Sequence, residues 1–264
     1  MKAVSNYNKR EGHPMRPKVC YLLESFYPII GGAETGSRLR IEELSKYSID
    51  LTVVTRHTMP ETKRKEILFG AEIHRIGPSG GSLGPRRWGM VARALFWLIK
   101  ERERWDIVFT DGFRALGIPA VVASRLLGKK AVFRPQNVGE MSGAFFDGRL
   151  RRLGLSHSHW LVRPFIGMRN ALYKKADAFV PTTIDMKDEL LQAGIPSARI
   201  YLIPNFYDEI KFVPATEAEK SGLRRKLSIK EDALVGFSPG GSYPGRARNT
   251  WCGSGVRLHR RRKI

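Results

Sequence analysis

The chain has 264 residues, of which 42% are hydrophobic and 27% charged, and its formal net charge at pH 7 is +21. The length suits one large or two small globular domains. The two cysteines, Cys20 and Cys252, exclude a disulfide framework and a cysteine metal site, which fits a reducing cytosol. The basic charge predicts phosphate-rich partners, namely nucleic acid, an anionic membrane or a phosphorylated substrate.

Residues 1–17 are polar and predict a loose, flexible lead-in. They contain no apolar core of a secretory signal, so none is expected. No apolar run approaches the roughly 20 residues that a membrane-spanning helix needs. The sequence therefore predicts a protein that is soluble or bound at a surface.

Short apolar runs alternate with segments of helical period along the rest of the chain. In chain order they predict strand 19–24, helix 33–48, strand 51–55, strand 71–76, helix 90–104, strand 106–110, helix 116–127, strand 131–133, helix 160–174, strand 178–181, helix 186–193 and strand 200–203. The charged stretch 61–65 is expected to be exposed. Strands separated by helices form βαβ units, so the predicted fold is α/β with a doubly wound, mostly parallel, Rossmann-like sheet.

Two adjacent glycines, Gly31 and Gly32, join the first predicted strand to the first predicted helix. Without Cβ atoms they allow φ > 0 and a close approach of a ligand. The N–H groups at a helix start favour an anion. We interpret the turn as an anion or polar-ligand site; a purely structural turn is the alternative.

The glycine spacing does not fit a dinucleotide site. A Rossmann fingerprint needs G-x-G-x-x-G and an acid at the end of the second strand. Here the glycines are Gly31, Gly32 and Gly36, and the second strand ends in Thr55-Arg56-His57. A nicotinamide enzyme is therefore disfavoured, and no lysine-bearing P-loop pattern is present.

A family resemblance rests on several segments in order and in register. They are Gly31-Gly-Ala-Glu, Leu44-Ser-Lys, Leu51-Thr-Val-Val-Thr, Ala176-Asp-Ala-Phe-Val-Pro-Thr-Thr, Leu190-Leu-Gln-Ala-Gly, Ile203-Pro-Asn, Asp208, Phe212 and Pro214. Together they resemble the N-terminal half of family 4 retaining glycosyltransferases of the GT-B fold, over about residues 18–235. The chain departs from that family at Ser48-Ile49, where Gly-His is common, and at Phe206, where Gly is common. It also departs after the fifth strand, where the family's usual histidine is replaced by Arg134.

The resemblance implies a two-domain enzyme with its active site in the cleft between the domains. Residues 18–215 would form the acceptor-side domain, and 216–235 the start of the crossing to the donor-side domain. A nucleotide-sugar donor would be a co-substrate with no further cofactor, and the acceptor would be a polysaccharide or lipid-linked sugar. Gly31 and Gly32 would lie against the donor phosphates, with Glu34 beside them on the acceptor side. Such an enzyme would be cytoplasmic, either free or peripheral on the inner face of the plasma membrane.

Four polar residues lie just beyond the fifth predicted strand, where open α/β sheets present ligand-binding groups. We expect Asn137 and Glu140 to bind acceptor hydroxyls, Arg134 to bind an acceptor charge, and Gln136 to line the same site. A merely structural loop is the alternative.

Other polar residues predict structural roles. His157 and His159 are close in sequence but lack further ligands, so a solvated loop is favoured and no metal site is predicted. Thr183 is expected to cap a helix. Asn205 is expected to shape the turn between the domains.

Residues 236–264 differ from the rest of the chain. They contain seven Lys or Arg residues and no acid, and they lack either hydrophobic period, which predicts a disordered basic tail. Our hypothesis is a change of reading frame near codon 237, which would leave the chain truncated, without its donor half and inactive. The alternative is a natural basic tail that binds nucleic acid or lipid.

Basic and aromatic residues are mixed in segments 86–100, 149–152 and 160–169. Such mixtures suit docking to an anionic bilayer. Packing against the sheet is the alternative, favoured for the first segment through Leu95, Leu98 and Ile99. A non-catalytic binding module for nucleic acid is the second functional reading, but no stacking platform or nucleic-acid signature supports it.

Overall fold

The computed structural model of the protein describes residues 16–79, 86–205 and 213–233. The chain divides into two units, Met1–Phe206 and Tyr207–Ile264. The predicted lead-in falls almost wholly outside the described residues, and the predicted basic tail 236–264 falls entirely outside them. The predicted domain boundaries and the frameshift hypothesis therefore stay predictions.

The first unit is built on one sheet. Its strands are β1 (Lys18–Leu22), β2 (Asp50–Arg56), β3 (Lys65–Leu68), β4 (Ala71–Ile76), β5 (Ile107–Asp111), β6 (Lys130–Arg134) and β7 (Ala178–Phe179). Across the sheet the order is β3-β4-β2-β1-β5-β6-β7. Every neighbouring pair is parallel except β3 with β4. The predicted α/β fold with a doubly wound, mostly parallel sheet is confirmed.

Helices follow the strands as the apolar periods predicted. They are α1 (Gly32–Leu44), α2 (Arg86–Lys100), α3 (Gly117–Leu126), α4 (Asp147–Leu150), α5 (Arg163–Tyr173) and α6 (Ile184–Gln192). Helix α2 begins and ends four residues before its prediction. The predicted cap is confirmed, because Thr183 Oγ1 accepts a hydrogen bond from the Met186 N–H at 3.3 Å.

Two strand predictions were wrong in opposite senses. The predicted strand 200–203 is not a strand; Ile200 makes only an isolated bridge to Phe179. Because β7 has only two residues, it offers too short a partner for a ladder. Conversely, β3 was missed, since Lys65 and Glu66 make an edge strand look like an exposed loop. Charged residues on an edge strand discourage pairing with other chains.

Each face of the sheet has its own hydrophobic core, because successive residues of a strand point to opposite faces. Cys20 and Leu22 of β1 belong to a large cluster with residues of α2, α3, α5 and α6. Tyr21 and Leu23 belong to a smaller cluster that includes Ile41 of α1. The two layers of helices cover both faces, as a parallel sheet requires.

The second unit is described over residues 213–233. Its one described helix, α7 (Glu217–Lys226), begins with a capping box. Thr216 Oγ1 accepts from the Glu219 N–H at 3.3 Å, and the Glu219 carboxylate accepts from the Thr216 N–H at 2.8 Å. The two side chains thus satisfy N–H groups that the helix start leaves without partners.

Candidate functional site

The strand order places a switch point between β1 and β5. From β1 the chain builds outward through β2 and β4, and from β5 it builds the other way through β6 and β7. Leu22 at the end of β1 pairs with Thr110, one residue before the end of β5. In open α/β sheets, ligands bind at the carboxyl ends of the strands at this point. Helix α1, which follows β1, begins here.

The Gly31–Gly32 turn reaches the start of α1 by a different geometry from the one expected. Gly31 has φ −159° and ψ 172° and is extended, and neither glycine is among those with positive φ. The turn therefore does not use the positive φ that glycine allows. A Cβ at 31 would meet the Glu34 carboxylate, which would have to move, whereas a Cβ at 32 would meet nothing within 4 Å.

The start of α1 is uncapped and open. Gly31 is the N-cap residue and, having no side chain, makes no side-chain cap to the first turn. The nearby Glu34 carboxylate accepts a hydrogen bond from Ser25 Oγ. The loop before the glycines is held in place, because Arg75 Nη2 donates to the Tyr27 carbonyl at 2.9 Å. The turn is thus fixed, and Gly32 and Ala33 at the helix start are exposed, where the N–H groups of a helix favour an anion.

Beside this turn lies a buried charged cluster around Asp111, the last residue of β5. Its carboxylate forms an ion pair with Arg40 of α1 and accepts from Ser37 Oγ at 2.8 Å. Arg134 Nη1, at the end of β6, lies 3.3 Å from its other oxygen. Arg134 Nη2 also donates to Asn205 Oδ1 at 2.6 Å. One carboxylate thus joins α1, β5 and β6.

The cluster has more positive than negative charge. Arg40 and Arg134 face one carboxylate, Asp111, whose side chain is 1% exposed. Burial, and then repulsion from Arg134, lowers the pKa of Arg40 to about 10. Burial likewise lowers the pKa of Arg134. Arginine keeps its proton at neutral pH, so the Asp111 carboxylate faces two positive charges.

The four polar residues predicted after β6 divide into two pairs. Gln136 is half-buried, and Asn137 is exposed. Arg134 is buried and bonded as described above. Glu140 is fully buried: its Oε1 lies 3.5 Å from Arg114 Nε and accepts from the Gln136 N–H at 3.3 Å.

Burial raises the pKa of Glu140, an effect that Arg114 and the nearby Gln136 and Asn137 groups offset in part. Its Oε2 accepts no hydrogen bond of good geometry from the described residues. A buried carboxylate oxygen without a donor is costly unless a ligand, a water or a proton completes it.

The loop that carries these residues is fastened by two charged side chains from the helices behind it. The Glu189 carboxylate of α6 accepts from the N–H groups of Gly139, Met141 and Ser142 at 2.7, 3.0 and 2.7 Å. Arg169 Nη2 of α5 donates to the carbonyls of Glu140 and Met141, each at 2.9 Å. These bonds fix the backbone of the loop before any ligand binds.

The histidines predicted to be structural have a structural partner. The Asp147 carboxylate accepts from the His157 N–H at 2.7 Å and lies 2.8 Å from His157 Nδ1. This contact lowers the pKa of Asp147. Within the described parts of the chain, no three His, Cys, Asp or Glu residues are grouped as a metal ion would require.

Sequence reasoning missed Ser37, Arg40 and Asp111. Asp111 was placed one residue beyond its strand, although an Asp-Gly pair directly after an apolar strand marks the carboxyl edge. Ser37 and Arg40 lie one turn apart on the inner face of α1, where polar residues interrupt the apolar period. Polar residues on the predicted buried face of a helix are the sequence signal that would have identified Ser37 and Arg40.

Comparisons with known proteins agree with this architecture. The family model described as Glycosyltransferase Family 4 matches residues 30–210. No curated protein matches the chain. Among solved structures, sucrose-phosphate synthase from Thermosynechococcus elongatus superposes with a TM-score of 0.54 at 14% identity, over 82% of this chain and 54% of that one. HepE of Anabaena, solved with UDP and glucose, gives 0.47 at 17% identity, over 80% and 50%.

The chain thus spans about half the length of the solved proteins it resembles. The solved structures bear on the fold alone at these identities. The family model covers more than half of the chain, including the Gly31–Gly32 turn, the charged cluster and the loop after β6. The chain belongs to glycosyltransferase family 4.

Proposed function

We propose that this chain is the acceptor-side half of a retaining glycosyltransferase that moves a sugar from a nucleotide-sugar donor to a polysaccharide or lipid-linked acceptor. The carrying observation is the start of α1, which is exposed at Gly32 and lies at the switch point of the sheet beside the two buried arginines that pair with Asp111. Family membership supplies the reaction type, and these residues supply the places where the two substrates would lie.

On the donor side, the exposed N–H groups at Gly31 and Gly32 suit a diphosphate. Transfer of a sugar leaves negative charge on the departing diphosphate, so fixed donors aimed at it lower the barrier. Gly32 lacks a Cβ and has open space in front of it, which lets phosphate oxygens approach the backbone. Arg40 and Arg134 add positive potential from below without leaving Asp111.

On the acceptor side, Gln136 and Asn137 offer amide groups to sugar hydroxyls, since they are the less buried pair. Glu140 and Arg134 are buried and support the site: Glu140 accepts a hydrogen bond from the Gln136 N–H, and Arg134 donates to Asn205. Glu34, turned back onto Ser25, lies between the two sides. This assignment keeps all five residues in the acceptor site but gives them different roles.

The test is a titration of the full chain, labelled with ¹⁵N-glycine, followed by NMR. We expect a nucleoside diphosphate to shift the Gly31 and Gly32 amide resonances, and the matching nucleoside to leave them unchanged. Gly128 has open space around it at the far end of α3 and serves as the internal control. Saturable shifts elsewhere, with Gly31 and Gly32 unmoved, would overturn the donor-side proposal.

The acceptor side is tested by the paired substitution Gln136→Ala and Asn137→Ala. The variants should raise the Kd for acceptor about tenfold per lost buried hydrogen bond, or less where solvent reaches the amide. An unchanged Kd for acceptor would remove these two residues from the site. The free energy of unfolding, measured in parallel, reports whether the loop itself has changed.

A further inference from the structure

The surface of α5 and of the turn before it carries an unusual combination of residues. Residues 148–176 contain seven basic residues and no Asp or Glu. Three of the arginines have exposed side chains, Arg151, Arg152 and Arg163, whereas Arg169 turns inward to the loop carbonyls. The exposed charge of this segment is therefore of one sign.

Four large apolar side chains lie exposed among those arginines. Trp160 is 74% exposed, Leu161 48%, Phe165 69% and Met168 70%. Phe165 and Met168 are three residues apart on α5 and share one helix face, and Trp160 and Leu161 lie in the turn directly before the helix. The opposite face of α5 is already occupied, since Tyr173 is buried and donates to the Arg114 carbonyl at 2.6 Å. Together with Arg151, Arg152 and Arg163, the four side chains form what we call the α5 face.

We propose that the α5 face is a docking surface for an anionic lipid bilayer. Interfacial helices bind membranes by burying apolar side chains at the headgroup boundary, while surrounding Lys and Arg attract anionic lipid. The absence of any acid in 148–176 removes the repulsion that such a surface would otherwise meet. Nucleic acid would leave Leu161 and Met168 without a function, because stacking on bases needs flat aromatic rings.

The other predicted docking segment, 86–100, is built differently. Of the residues that the packing alternative named, Leu98 is buried and Leu95 packs against the core, but Ile99 is 37% exposed. Met90, Ala94 and Trp97 are also buried in the core. Among the described side chains of α2, the exposed large apolar ones are Phe96 and Ile99. The structure thus separates two segments that look alike in sequence.

Helix α5 also packs against the loop that we place at the acceptor site, through side chains that do not belong to the α5 face. A Cβ at Gly143 would collide with Ile166 of α5, and Arg169 of α5 holds the Glu140 and Met141 carbonyls. If the proposed function holds, a bilayer against α5 would present a lipid-linked acceptor directly to Gln136 and Asn137. The docking itself does not depend on that activity.

Vesicle flotation of the full chain tests the proposal. Wild type should float with vesicles of phosphatidylglycerol and phosphatidylcholine and much less with phosphatidylcholine alone. Trp160→Ser with Phe165→Ser should lower the partition coefficient at least tenfold. Each of Arg151→Ser, Arg152→Ser and Arg163→Ser should lower it about fivefold. Brominated lipid should quench tryptophan fluorescence in wild type and less in Trp160→Phe.

A matched control is available at the opposite edge of the sheet. Ile67 on β3 is 79% exposed, with exposed Lys63 and Lys65 nearby. The triple substitution of these residues to Ser changes similar apolar and basic surface but should leave flotation unchanged. This control also separates the α5 face from any general attraction between a chain of net charge +21 and anionic lipid.

Three outcomes would overturn the proposal. Equal losses in the α5-face and β3 variants would indicate non-specific charge attraction. Loss of a dimer in Trp160→Ser with Phe165→Ser, without loss of flotation, would assign the face to a second copy. Wild-type binding to a nucleic acid that these substitutions abolish, with flotation unchanged, would assign it to that partner. A chain that fails the nucleotide titration but floats as expected refutes only the proposed function.

Discussion

The turn after β1 and the loop after β6 lie at the same edge of the sheet but are built in opposite ways. The end of β6 and the loop after it contain the charged residues that the sequence predicted to bind substrate. In the structure these residues pair with other side chains of the protein: Arg134 with Asp111 and Asn205, and Glu140 with Arg114. The turn after β1 has no side-chain cap on its helix start, and its Gly32 is exposed. Charged residues in a loop can therefore serve to hold the loop in place, whereas an uncharged glycine turn can leave its backbone accessible to a ligand.

Asp111 connects the two regions, and its loss should have the largest effect. Asp111→Ala leaves Arg40 and Arg134 buried and facing each other, which we expect to cost about 3–5 kcal/mol of unfolding free energy. Urea denaturation monitored by circular dichroism measures it. Asp106→Ala, at the exposed residue directly before β5, should cost about 1 kcal/mol or less. Similar losses at both positions would contradict the role of Asp111 as the link.

Glu189 tests the fastening of the loop after β6. Glu189→Ala removes the acceptor for three N–H groups and should cost about 2 kcal/mol, because hydrogen bonds to a charged group are worth more than neutral ones. Hydrogen exchange at Gly139, Met141 and Ser142 should accelerate while exchange in β1 stays slow. Asp188→Ala, the exposed neighbour on α6, serves as the control. If exchange in the loop is unchanged, Glu189 does not hold it.

The Gly31–Gly32 turn should respond differently at its two positions. In Gly31→Ala the new Cβ forces Glu34 away from Ser25, at a cost of about 1 kcal/mol. In Gly32→Ala the Cβ enters open space, so stability should change by less than about 0.5 kcal/mol. Nucleoside diphosphate affinity should nevertheless fall several-fold in Gly32→Ala. Thermal unfolding and the NMR titration measure the two effects separately, and equal destabilisation would show that position 32 is not open.

The sequence predicted the fold well because apolar period is a property of the chain alone. Strands β1, β2, β4, β5 and β6 and helices α1, α2, α3, α5 and α6 all follow it. The site depended on what residues meet in space. The sequence shows that Gly31 lacks a Cβ but not that the Glu34 carboxylate needs that space. It shows Arg134 after a strand but not that Asp111, 23 residues earlier, faces it.

The missed strand β3 has the same kind of cause. An edge strand has one side without a neighbouring strand, so it tolerates charged residues, and the sequence of β3 therefore resembles an exposed loop. Its strand conformation is evident only from its pairing with β4. The short β7 and the failed strand 200–203 show the reverse. Tyr201 N–H and Ile203 N–H do bond to Phe179 and Pro181, yet two strand residues are too few to extend the ladder. Pairing, which is non-local, decides both cases.

The smallest expected effect is on the pH dependence of the free energy of unfolding, and it comes from Glu140. This effect measures how strongly the loop after β6 shields the Glu140 carboxyl from solvent. Burial raises its pKa above the ordinary value of 4.5. The folded state therefore holds this proton at pH values where the unfolded chain has lost it. By linkage, its contribution to the free energy of unfolding falls as pH rises from about 4.5 through the raised folded pKa, then levels off.

The matched variant is Glu140→Gln, which keeps the shape and removes the titration. The difference in unfolding free energy between wild type and variant should follow that decline with pH, and Glu103→Gln, an exposed carboxylate, should show no such decline. A difference that rises with pH would mean that Arg114 outweighs burial, so that Glu140 is an ion-pair anion in the folded protein. A decline confines the accessible chemistry of the loop to Gln136 and Asn137.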